Sequence, residues 1–398
     1  MTFFRTSFRS LAFRQTLAYY AAFIALGLYL ASLGPTLPSL AKHTDAHLDQ
    51  ISILFAARSL GYLLGSMGIG KAYDRIPGHV LLAIILLGMG AMMALSPLIH
   101  LLWLLVLVML ILGIGEGGLD VGGNILLLMV HKRNVGSLMN GLHFFFGVGA
   151  FLSPIIFAQA LLISGDVNVG YWALALYALP VALWILRTPS PVLLTKNRDR
   201  TTESINIALI SLVSLFFFLY VGAEASFGGW IFTYSVSMKL GEPATAAYLT
   251  SAFWGALTAG RLLAIPIALR FRPGRIIMID LLISLICMGI IRVFDESILA
   301  IWVATIGMGL AMASIFPTTL IVAEHRMRLS GEVSRWFFVG VGLGGMFLPW
   351  VIGQLFEGLG PQITTFFIAI DLSLALIVFY FILRYPLRDR RLDKVLLS

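Results

Sequence analysis

Charge is scarce in this chain. Asp, Glu, Lys and Arg make up 12% of its 398 residues, about half the share expected of a soluble globular domain. Hydrophobic residues fill the difference at 59%, and the mean hydropathy is +0.96, so the chain reads as an integral membrane protein. Cysteine is almost absent as well. The single Cys287 excludes an intrachain disulfide, and its place in an apolar run makes it a packing residue. Also missing are a phosphate-cradling Gly-x-x-x-x-Gly-Lys-Ser/Thr loop, a His-Glu-x-x-His helix and any Cys/His metal spacing. With no soluble domain to host chemistry, an enzyme or an ATP-driven pump is excluded, and no catalytic or metal-binding residue is expected. The net charge of +8 does not point to nucleic acid, because the basic residues sit in short loops between apolar runs.

Those runs define candidate spans. They are Gln15 to Leu40, Asp49 to Gly70, His79 to Ser96, Leu101 to Val130, Val135 to Ile163 and Val169 to Leu186. After a polar stretch come Ile205 to Met238, Ala244 to Leu269, Arg275 to Val293, Ser297 to Ala323, Gly331 to Phe356 and Gln362 to Leu383. Each reaches or approaches the roughly 20 residues that a membrane helix needs. The first run follows Arg5, Arg9 and Arg14, is too long for a secretory signal and lacks a small-residue cleavage site, so it reads as an uncleaved span. Of the 27 Lys and Arg, Lys42, Lys239 and Arg292 fall in loops of one side and Arg58 and Arg261 within spans; all others lie on the side of the termini. The positive-inside rule then places both termini in the cytoplasm of a multi-pass plasma (inner) membrane protein.

A nearly constant offset relates the two sets of spans. It sets Gly27 on Gly222, Gly34 on Gly229, Gly65 on Gly260 and Arg75 on Arg270. Further along it sets Gly147, Gly149 and Pro154 on Gly342, Gly344 and Pro349, and, one residue shorter, Gly113 and Gly115 on Gly307 and Gly309. The expectation is an all-α membrane protein of twelve transmembrane helices in two pseudo-symmetric six-helix bundles. Residues 1–187 form the first, 188–204 a cytoplasmic linker and 205–398 the second. That is the layout of a secondary transporter whose site lies between its halves.

The fourth span carries an acidic stripe. Glu116, Asp120 and Asn124 in GIGEGGLDVGGN are spaced by four, on nearly one helical face and about 6 Å apart along the axis. Ionisable groups at this depth face a bundle interior or a water path, while the interleaved glycines let neighbouring helices approach closely. The offset sets these three on Leu310, Ser314 and Thr318, so the stripe belongs to the first half alone, whereas Glu224 is a membrane-depth carboxylate of the second half. Arg58 lies too deep to reach the interface and needs a partner, Glu116 or Asp120 first and Glu224 second. Asn140 and His143 share a face of the fifth span; the alternative for the histidine is a packing role. Trp230 and Trp254, and less so Trp336, offer faces for a ring-shaped solute, against the usual tryptophan roles of anchoring and filling space.

The loop Gly70-Lys71-Ala72-Tyr73-Asp74-Arg75-Ile76-Pro77-Gly78-His79 resembles the Gly-x-x-x-Asp-Arg-x-Gly-Arg signature of the major facilitator superfamily, with His79 in place of the final basic residue. Ala57-Arg58-Ser59 with Gly61-Tyr62, Asp120-Val121-Gly122-Gly123-Asn124, Gly141-Leu142-His143-Phe144-Phe145-Phe146-Gly147 and Tyr220-Val221-Gly222-Ala223-Glu224 are similar to the sodium-dependent glucose transporter branch, and through it to the fucose permeases. The fucose permeases carry an acid near the end of the first helix, where this chain has Gly34, so a proton mechanism built on that acid does not carry over.

The resemblance implies a cation-coupled transporter of a neutral monosaccharide working by alternating access. In that reading Asp120, helped by Glu116, carries the coupling charge. Asn124, Asn140, His143, Glu224, Trp230 and Trp254 meet the solute, and Gly70, Asp74, Arg75, Gly78, Gly260 and Arg261 form a cytoplasmic gate. No cofactor is expected beyond Na⁺ or H⁺ as coupling ion. The partners are a small solute and the lipid bilayer, with a monomer as the functional unit. The rival reading is a proton-coupled antiporter that exports amphipathic or cationic compounds; a membrane scaffold is a third, disfavoured by such short loops.

Overall fold

A computed structural model of the chain describes residues 11–131, 135–191, 206–327 and 331–386, apart from the side chains of residues 70, 71, 74, 331 and 332. The described residues are helical, without strands. Twelve helical stretches are long and apolar enough to cross a bilayer: Leu11–Leu30, Leu48–Gly68, Gly78–Leu98, Leu102–His131, Gly136–Ser164, Asn168–Leu186, Ile207–Ser237, Pro243–Arg270, Pro273–Val293, Ile298–Glu324, Val333–Leu359 and Ile363–Arg384. They are numbered here as spans one to twelve. The protein is therefore an all-α membrane protein of twelve spans. Most of the linker proposed at 188–204 lies outside the described residues.

Besides a one-residue interruption of span two between Leu48–Ile51 and Ile53–Gly68, two spans that read as continuous runs are broken by prolines. The first helix ends at Leu30 and a second begins at Leu33, running to His43. The tenth is split into Ile298–Met312 and Ile315–Glu324. Proline explains the position of each break, since Pro35 and Pro317 have no N–H for the carbonyls of Ala31 and Ala313 four residues earlier. Side chains then serve carbonyls exposed at the breaks. Arg58 donates to the Tyr29 carbonyl, and the Tyr220 hydroxyl lies 3.1 Å from that of Met312.

Packing follows a recurrent order. Span one lies on five and seven on eleven; two lies on four and eight on ten; three lies on six and nine on twelve. Between the first six spans and the last six, the main seams are five against eight and two against eleven. The two kinds of contact differ in texture. A Cβ at Gly113 would run into the Arg58 carbonyl, one at Gly27 into that of Phe146 and one at Gly344 into that of Phe218. Backbones thus touch within each set of six. Across the seams, a Cβ at Gly147 would meet the Thr258 side chain, and one at Gly342 that of Leu63.

A polar core between the spans as candidate transport site

Arg58 and Glu116 form a buried pair between spans two and four. Arg58 is 6% exposed and Glu116 2%. The arginine Nε donates to both carboxylate oxygens, at 3.2 and 3.0 Å, and its terminal nitrogen is shared between Glu116 and the Tyr29 carbonyl. Charge and hydrogen-bonding capacity are matched here, as burial of both ions requires. Glu116 is thereby occupied in holding spans one, two and four together.

One turn further, Asp120 has a different environment. It is half-buried, accepts from the Tyr62 hydroxyl of span two and from the Asn124 amide at 3.0 Å, and makes no ion pair among the described residues. The same Asn124 amide also donates to the Asp120 backbone carbonyl at 2.8 Å. His143 of span five is exposed, although its ring meets the edge of Phe23, 5.9 Å away. It stands within electrostatic reach of both Asp120 and Arg261. Asn140, one turn away, is exposed too. Asp120, His143 and Arg261 thus lie near one another on spans four, five and eight.

The second six spans contribute Glu224 and Arg261. Glu224 accepts from Tyr220, one turn earlier on span seven, and lies within reach of the Arg261 charge. Arg261 crosses to span five, where it donates to the His143 carbonyl at 3.3 Å. It thus bridges spans eight and five. The other loop-motif positions divide. The side chains of Gly70 and Asp74 lie outside the description, Arg75 is exposed, Gly78 packs against Leu126 and Gly260 against Ala313. His79 is no surface basic residue: it is 2% exposed, with one ring nitrogen 2.7 Å from the Tyr19 hydroxyl and the other 2.7 Å from the Thr188 carbonyl.

The tryptophans separate by burial. Trp230 is fully buried, donates to the Pro349 carbonyl at 2.9 Å and packs between Phe356 and Phe55, with centroids 5.1 and 6.0 Å away. No ring face is left for a solute in this conformation. Trp336 is 56% exposed at the surface. Trp254 is 6% exposed, and its indole N–H has no hydrogen-bond partner. Sequence reasoning passed over Tyr62 and Tyr220, which hold the two carboxylates, and Asp280, which accepts from Ser314 at the break in span ten. A tyrosine one turn before Glu224 was a visible signal; the Tyr62 pairing depends on how two helices meet.

The end of the bundle opposite the termini is closed. There Glu357 of span eleven accepts the Leu48 N–H at 2.8 Å, at the start of span two, and stands 3.6 Å from the His47 ring. Gln354 donates to the Asp49 carbonyl at 2.6 Å, and Gln159 of span five to Tyr248 of span eight. Over this closed end lies an open groove of about 340 Å³, lined by Pro38, His47, Thr233 and Glu357 among others, well away from the Asp120 level.

Comparison with known proteins agrees with this architecture. Residues 17–349 match the profile of the Major Facilitator Superfamily. A mouse relative, sodium-dependent glucose transporter 1A, is 31% identical across 84% of this chain and 88% of its own length. Sodium-dependent glucose transporter 1 of Xenopus laevis is 33% identical across 84% and 74%. Among solved structures, the D323A mutant of the nucleoside transporter NupG superposes with a TM-score of 0.76 at 14% identity, covering 94% of this chain and 100% of its own. A bacterial homolog of the human lysosomal transporter Spinster, inward-facing and occupied, gives 0.75 at 14% identity over 94% and 96%; both likenesses are of fold. The chain belongs to the major facilitator superfamily, and is a secondary transporter that moves a small solute by alternating access.

Proposed function

We propose that the solute is a neutral monosaccharide and that its passage is coupled to Na⁺ or H⁺. One observation carries the coupling: of the two carboxylates on the stripe, Glu116 is neutralised by Arg58, while Asp120 has hydrogen-bond donors but, among the described residues, no salt-bridged cation. A bare carboxylate is costly in a closed membrane site. A cation bound at Asp120 removes that cost, and its differential affinity for two conformations drives the cycle. The sugar assignment draws on the names of the relatives and on the polar core itself. Asn124, Asn140, His143 and Glu224 supply the mixture of donors and acceptors that hydroxyl groups require, and Trp254 adds a buried N–H in want of an acceptor.

In this reading the six-plus-six packing order reflects two rigid halves that rock about the site, with termini in the cytoplasm of the plasma membrane and a monomer as the working unit. The Glu357 contacts close the outer side, and Asp74, Arg75 and their neighbours close the inner side in the other conformation. Counterflow of labelled D-glucose in liposomes holding the purified protein, with and without Na⁺ and a proton gradient, tests the proposal. Glucose exchange is expected. Exchange of cationic dyes against protons with none of glucose overturns it in favour of an exporter.

A further inference from the structure

Asp371 stands mid-way along span twelve, in the run Ile368-Ala369-Ile370-Asp371-Leu372-Ser373-Leu374. It is 4% exposed, and among the described residues neither carboxyl oxygen has a hydrogen-bond partner. Its helical face, with Ile368, Leu372, Ala375 and Phe379, is buried and apolar. Span twelve packs on seven and nine and touches eleven. The titratable groups of those spans are engaged elsewhere or apart from it. On span seven Tyr220 and Glu224 serve each other, and the Tyr234 hydroxyl has no partner. On span nine Asp280 takes the Ser314 hydroxyl, Cys287 is a buried thiol, Arg292 faces Asp295 and Arg275 is exposed at the helix start. On span eleven Glu357 holds the start of span two, while Arg335 is exposed near the helix start. Arg326, beyond span ten, is spent on the carbonyls of Ile382 and Leu383.

An ionised carboxylate so placed, with no donor and no counter-charge, pays a desolvation penalty far above that of a neutral carboxylic acid. The groups that share the Asp120 site are not among its partners. We propose that Asp371 is a second ion site, specific for a proton: loaded as the neutral acid in this conformation and emptied when span twelve shifts against seven and nine and water reaches it. The proton is taken from hydronium at a carboxylate oxygen and returned to water from the same oxygen, so no other group changes charge. This site stands whatever solute the protein carries.

Infrared difference spectroscopy of the full chain in lipid bilayers tests it without any solute. At neutral pH the wild type is expected to show a carboxylic-acid C=O band that shifts in heavy water, and Asp371→Asn is expected to lose it, while Asp120→Asn keeps it. Absence of the band, or its survival in Asp371→Asn, overturns the proposal. Thermal unfolding guards against misfolding: Asp371→Leu is expected to melt at a higher temperature than the wild type, because a buried unpaired polar group is replaced by an apolar one. A lower melting point for both Asp371→Leu and Asp371→Asn would mean that the carboxyl makes a stabilising bond, and would overturn it too.

Discussion

The Tyr62 hydroxyl donates to the Asp120 carboxylate across spans two and four, one turn beyond the Arg58–Glu116 pair that joins the same two helices. Two carboxylates of one stripe thus have opposite environments, one neutralised by a cation and the other held by neutral donors. Hydrogen bonds to a charged group contribute about 1.5–3 kcal/mol. Without that donor the bare carboxylate is costlier and gains more from a cation, so Tyr62→Phe is expected to fold and to lower the cation concentration at half-maximal glucose exchange by about tenfold or more. An unchanged midpoint would remove Asp120 from the coupling step.

Breaking the Arg58–Glu116 pair leaves an uncompensated charge in a dry interior, at a cost of about 3–5 kcal/mol. Arg58→Met and Glu116→Leu should each lower the thermal midpoint of the detergent-solubilised protein sharply. The double variant should recover much of the loss, because no charge is stranded. A double variant as unstable as the sum of the singles would show that the pair contributes more than mutual neutralisation.

Gly113 lets the backbone of span four lie against that of span two at Arg58. Gly113→Ala places a methyl group on a carbonyl that cannot swing aside, and overpacking of this kind costs about 1–3 kcal/mol. Gly88, with nothing within 4 Å of its Cβ position, is the control. Gly88→Ala is expected to leave the melting temperature unchanged or slightly raised, and Gly113→Ala to lower it.

Glu357 closes the end opposite the termini by accepting the first N–H of a helix, where the helix dipole favours a carboxylate. Phe55 lies beneath this closure, packed on Trp230 and Gly229. With Cys287 replaced by serine and Phe55 by cysteine, labelling by a membrane-impermeant maleimide should be slow. Adding Glu357→Ala should raise the labelling rate several-fold. Equal rates would mean that the Glu357 contact does not hold that end shut.

The twelve spans were legible from hydropathy alone, because each apolar run is set off by short polar loops. The breaks at Ser32 and Ala313 were not. Pro35 and Pro317 look in sequence like Pro154 and Pro349, which sit in unbroken helices, so proline alone does not mark a break. Arg58's need for a partner followed from its depth, whereas the choice between Glu116 and Asp120 depended on how span two sits against span four. The burial of Trp230 was not legible because the polar residues of span seven are scattered around it and mark no single apolar face. Asp280 and Asp371 carried a plain signal, a lone acid in an apolar run.

The contrast between backbone and side-chain contacts has a mechanical consequence. Where two helices meet main chain to main chain, as at Gly113 and Arg58, sliding requires whole carbonyls to pass one another, and the assembly is stiff. Where a glycine faces a side chain, as Gly147 faces Thr258 and Gly342 faces Leu63, a rotamer change is enough to let the surfaces shear. The seams of spans five with eight and two with eleven can yield in this way, as can the side-chain contacts at Gly123 and Gly222 inside each set. Gly34, whose Cβ position falls on the Gly228 carbonyl, is a main-chain contact across that divide.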